Sequence, residues 1–161
     1  MAQHEIRSYD YVNHPYARVH AVMTADPAGI LRAATRAAAD RARSVAAELR
    51  VTIAGVDVGA EVVVNVGEVV EGPGPYGSPV TRIPVSWAAA RHPGLFPLMT
   101  AELSLYPLTS TETQLDFLGR YEPPLGLVGD AMNALVGHRI AEASVHRLIG
   151  DVAEYLRQTI T

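Results

Sequence analysis

Histidine is the side chain best suited to acid–base work near neutral pH, and the chain has six: His4, His14, His20, His92, His138 and His146. None stands at HxH or HExxH spacing, so a metal set is not assembled. His138 and His146 fall on one predicted helix but are turned about 80° from each other at about 100° per residue. His138 is the most informative of the six. It lies among Ala134, Ala141 and Val145 on the apolar stripe of that helix. An imidazole there can orient a carbonyl or exchange a proton; equally, it can be a buried histidine satisfied by a strand side chain or water.

Tyr121 follows Leu115, Phe117 and Gly119 on the apolar side of a predicted strand, where a buried hydroxyl needs a partner. It reads either as a ligand contact or as plain core. Asp116 and Arg120 share the opposite side and read as solvated charges. Asp130 stands at the start of the long helix, where a carboxylate caps free N–H groups. Glu68, in line with Val64, Val66 and Val70, reads as a strand-end residue at a rim. There is no GxSxG elbow for a serine hydrolase. The loop Gly72-Pro73-Gly74-Pro75-Tyr76-Gly77 lacks the Lys and Ser/Thr of a phosphate-binding loop.

Several elements must position these residues. Residues 5–12 alternate as an edge strand, and His14-Pro15 interrupts them. Residues 16–24 resume the alternation, with Ala17, Val19, Ala21 and Met23 on one side. Asp26-Pro27 reads as a helix N-cap followed by proline at the first helical position, opening an Ala- and Arg-rich helix over 27–47. From Leu49 to Tyr121 the period becomes two: strands are predicted around Val51 to Gly55, Val62 to Val70, Ile83 to Trp87, Leu103 to Pro107 and Leu115 to Tyr121. Brief turns between them, including Thr109-Ser110-Thr111, predict an antiparallel meander. Pro123-Pro124 stops the last strand, and 126–158 read as a helix about 50 Å long.

On that helix Leu127, Ala131, Ala134, His138, Ala141, Val145, Leu148, Ile149, Val152 and Leu156 form the stripe that docks on the sheet. Its first half is small. Interiors are filled to crystal-like density, so Trp87, Phe117 and Tyr121 either plug the space opposite Ala134 and Ala141 or line a cavity there. The expected ligand contacts are Trp87, Leu103, Phe117, Tyr121, Ala134, His138 and Ala141. The helix's other side carries Met132, Leu135, Val136 and Ile140, which a loop, the Ala-rich helix or a second subunit must cover; the last of these would make a homodimer.

Residues 81–156 resemble the polyketide cyclase/START-like (SRPBCC, helix-grip) superfamily. The resemblance rests on Ile83-Pro84-Val85-Ser86-Trp87, the Phe96-Pro97 turn, the run Gly119-Arg120-Tyr121-Glu122-Pro123-Pro124, and the Gly129-Asp130 opening of the helix. It implies an α+β helix-grip fold, a curved antiparallel sheet wrapped around the C-terminal helix, with an apolar pocket between them for lipids, polyketides, hormones or other ring compounds. It does not choose among carriers, cyclases, dehydratases and regulators.

Composition narrows the classes further. At 161 residues one domain, 1–161, is expected. The net charge of −4 and scattered cations argue against a nucleic-acid surface. All thirteen cationic residues are Arg, which reads as GC-rich bacterial codon usage. No Cys is present, which removes thiolate chemistry and fits a reducing cytoplasm. No run of 18 apolar residues predicts a membrane span, and no signal peptide is visible. The expectation is therefore a cytoplasmic module that binds a small hydrophobic molecule, with no cofactor and no metal. The alternatives are a cyclase-, aromatase- or dehydratase-type enzyme using His138, and a dimeric interaction protein with a filled core.

Overall fold

Pleated alternation builds the sheet, and the structure, a computed structural model, describes residues 4–48, 62–74, 77–89, 98–122 and 130–160. Its strands are β1 (His4–Val12), β2 (Val62–Val66), β3 (Val70–Pro73), β4 (Pro79–Ala89), β5 (Leu98–Thr109) and β6 (Glu112–Glu122). All their pairings are antiparallel, in the order β1-β6-β5-β4-β2, with β3 also on β4. The helices are α1 (Tyr16–Ala25), α2 (Pro27–Glu48) and α3 (Asp130–Thr159). This is the α+β helix-grip architecture, a curved sheet with a long C-terminal helix. The strand expected around Val51 to Gly55, the Phe96-Pro97 turn, Pro123-Pro124 and Leu127 lie outside the described residues, as do the side chains of 130–136.

Two segments differ from the sequence reading, each for a local reason. Residues 16–24 are helical. Val19 and Met23, the two buried apolar residues of α1, satisfy a spacing of four as well as an alternation, while Ala17 and Ala21 are exposed. Pro15 decides between them: its carbonyl accepts from the N–H groups of Arg18 and Val19, and a proline ahead of the first turn forgoes no helical donor. Asp26 then ends α1 and caps α2, its Oδ1 accepting from Gly29 N at 3.0 Å. Pro27 follows at the first helical position.

The second difference is a break in the valine-rich stretch. Val66 pairs with Val85, but the next ladder pairs Val70 with Arg82, so one extra residue has entered as a bulge. Pro84 lies opposite, without a donor. Gly67 N donates to Pro84 O at 2.8 Å, and a Cβ on Gly67 would stand 3.0 Å from the proline ring. The bulge shifts the parity: Val64, Val66 and Val69 pack on the core, whereas Glu68 and Val70 are exposed.

On α3, Ala141, Val145, Leu148, Ile149, Val152 and Leu156 are buried as the stripe requires. Ile140, expected on the helix's outer side where something must cover it, is only 1% exposed. The Ala-rich α2 lies along α3, presenting Ala34, Ala38, Ala39 and Ala42 to the same core as Ile140, so at Ile140 the Ala-rich helix is, of the expected covers, the one present. Arg157 ties the end of α3 to β1 through Asp10 Oδ1 (3.0 Å) and Tyr11 O (2.6 Å). Tyr16 and His20 fasten α1 to Thr81 and Glu71 on β4 and β3.

Candidate functional site

Antiparallel register lines up one residue per strand across the sheet. One such row reads Val64, Trp87, Met99, Tyr121 and His4, on β2, β4, β5, β6 and β1. The row beside it reads Val66, Val85, Ala101, Gly119 and Ile6, and the next brings Ile83, Leu103 and Phe117 together. The polar row is thus separated from the bulky one by a floor of small residues in its centre.

The bulky groups lean over that floor. A Cβ added at Gly119 would lie 2.7 Å from Met99 Sδ, 2.9 Å from Phe117 Cε1 and 3.3 Å from Ala101 Cβ. The Trp87 and Phe117 rings stand 6.0 Å apart at 32°. Trp87 is 1% exposed, and its Nε1–H has no hydrogen-bond partner among the described residues. A buried donor left so costs about 1–3 kcal/mol.

Tyr121, also 1% exposed, is linked outward. Its hydroxyl lies 2.7 Å from His138 Nδ1, His138 Nε2 lies 3.5 Å from Glu142 Oε2, and the His4 ring stacks on the phenol at 5.4 Å. Burial first, and the Glu142 carboxylate second, push the phenol's pKa up. The phenol therefore keeps its proton, and its hydroxyl shares a hydrogen bond with His138 Nδ1 while Nε2 faces Glu142; which of the two donates follows the imidazole tautomer. The result is a line from a buried hydroxyl through an imidazole to a surface carboxylate.

Of the expected contacts, Trp87, Leu103, Phe117, Tyr121 and Ala141 meet in one buried cluster. The Ala134 side chain lies outside the described residues. His138 is not sunk in the stripe: its side chain is 49% exposed, and only Nδ1 reaches the interior group. Met99, Gly119, His4 and Glu142 were not anticipated. Glu142 was findable as the i+4 neighbour of His138; Met99 needed β5 to start at Leu98 rather than near Leu103. Asp116 and Arg120 lie on the outer side, where Asp116 accepts from Tyr106 Oη at 2.7 Å and Gln114 Nε2 at 3.0 Å. Burial and that carboxylate raise the Tyr106 pKa to about 12. A groove of about 330 Å³ runs between the start of α2 and the end of α3 along Asp26, Ala33, Asp151 and Tyr155, open to solvent and, among the described residues, without a buried unpartnered polar group.

No family model and no curated protein matches the chain. Solved structures do. The protein TTHA0849 from Thermus thermophilus superposes with a TM-score of 0.56 at 14% identity, over 98% of this chain and 100% of that one. A conserved protein from Geobacillus kaustophilus gives 0.52 at 14% identity, over 98% and 95%. The Zhui aromatase/cyclase from Streptomyces sp. R1128 gives 0.46 at 14% identity, over 99% and 97%. At such identity the likeness to the first two is one of fold alone. Among the described residues no helix is long and apolar enough to cross a membrane.

Proposed function

We propose that this chain binds a small hydrophobic molecule between α3 and the inner side of its sheet. The observation that carries the reading is the indole N–H of Trp87, a strong donor buried among Phe117, Met99 and Leu103 with no acceptor among the described residues. A guest oxygen would satisfy it, and apolar contact at roughly 25 cal/mol per Å² would supply most of the affinity. The helix-grip fold supports the reading by analogy alone.

A cyclase-, aromatase- or dehydratase-type activity has one observation in its favour, the Tyr121–His138–Glu142 line, which can carry a proton between the interior and solvent. Native mass spectrometry of protein from its own host tests both readings. A co-purified small molecule is expected, and a bare polypeptide mass under conditions that preserve non-covalent complexes would speak against binding. Returning that molecule to the wild type and to His138→Ala separates carrier from enzyme. A mass change in the guest with the wild type alone would establish turnover.

A further inference from the structure

Small residues in the middle of a buried sheet face normally leave a void, and a void forfeits contacts. Here Ala101 and Gly119 face each other on β5 and β6, and the space above them is taken by groups from the neighbouring rows, the Met99 thioether and one edge of the Phe117 ring. These two fillers are not equivalent. Phe117 is braced by the Trp87 ring, and a phenyl group has few rotamers. Methionine has three rotatable bonds and adapts readily. Trp87 pairs directly with Met99 across β4 and β5, so the residue with the unpartnered indole N–H is the cross-strand neighbour of the methionine that fills this space.

Resting on the binding reading above, we infer that the guest sits on the Ala101–Gly119 floor, that Met99 is the door it displaces, and that Trp87 Nε1 selects a flat ring compound bearing an acceptor oxygen. Swinging Met99 aside leaves the Ala101 methyl and the Gly119 backbone beside the Phe117 edge, a low surface against which a planar ring can lie at van der Waals distance. Phe117 remains as one wall. The oxygen of an aryl ketone or quinone then reaches the indole N–H, and a hydrocarbon of the same shape leaves that donor unsatisfied.

The test uses 9-fluorenone and fluorene, which share their shape and differ by a carbonyl. Trp87 is the only tryptophan, so its fluorescence reports wild-type binding, and calorimetry covers the variants. Fluorenone is expected to bind about tenfold more tightly than fluorene, the worth of one net hydrogen bond. Trp87→Phe removes that preference. If Trp87→Phe misfolds, replacing Trp87 by 3-benzothienylalanine keeps the ring shape and deletes only the donor. Met99→Ala raises the affinity for both probes about equally, keeping the preference. Equal binding of the two probes by the wild type, a preference that survives loss of the indole N–H, or affinity unmoved by Met99→Ala would each overturn the assignment while leaving cavity binding intact. Failure of both probes to bind either the wild type or Met99→Ala would also overturn the assignment, and a bare polypeptide mass in the native mass spectrum would then take the binding reading with it.

Discussion

The Tyr121 phenol is kept protonated from two directions: burial withholds the water that would solvate a phenolate, and Glu142 opposes a second negative charge nearby. Tyr106 is held likewise by burial and by its bond to Asp116, up to about 12. A tyrosine whose folded pKa exceeds its unfolded value near 10 binds its proton more tightly in the native state. Its contribution is fully present below pH 10 and is lost as pH rises through the folded value. The urea midpoint is therefore expected to fall between about pH 10 and 12, and Tyr106→Phe is expected to flatten part of that fall. A midpoint as steep in Tyr106→Phe as in the wild type would assign the loss elsewhere. The inward set Leu115, Phe117 and Tyr121 was legible because alternation fixes parity. The half-exposed placement of His138 was not, because a wheel gives direction but not where the sheet ends beneath the helix.

Elements are where propensity and context part company. In α1, four alternating apolar residues cannot distinguish a period of two from a spacing of four, and the proline ahead of them was the better guide. The stretch from Val62 to Val70 hid a bulge because all its odd and even positions are tolerably apolar near the middle, so no side had to lose when the register moved on. The α2 start was legible, since Asp26-Pro27 carries both a cap and a first-position proline. That cap is expected to matter measurably. Asp26→Ala removes the acceptor for Gly29 N and should cost about 1 kcal/mol, read as a shift in the chemical denaturation midpoint. Asp26→Asn, which keeps an acceptor in the same place, should recover most of it. Equal losses for the two variants would point to charge rather than capping.

Across the whole molecule the order of elements could be read because the apolar period switches cleanly from two to 3.6 after Pro123-Pro124. Whether the interior is open or closed could not, since closure depends on Met99 and Phe117 reaching across rows of the sheet, and reach is invisible to periodicity. A closed interior has an energetic consequence. If binding needs Met99 displaced, the apparent affinity is the intrinsic one scaled by the fraction of molecules with the door open. A substitution that removes the door should then weaken the fold and strengthen binding together. Met99→Ala deletes a fully buried side chain, which costs about 2–4 kcal/mol where the site collapses only partly, or roughly 5–10 °C in Tm for a chain of this size. Saturating fluorenone should return more of that loss to the variant than it adds to the wild type, because stabilisation grows with ligand concentration over Kd. Met99→Leu, similar in volume but stiffer, should hold its Tm within a few degrees and bind less tightly than Met99→Ala. Paired thermal melts with and without the ketone decide it. A Met99→Ala protein that loses stability and recovers no more with ligand than the wild type would mean that the methionine is packing alone.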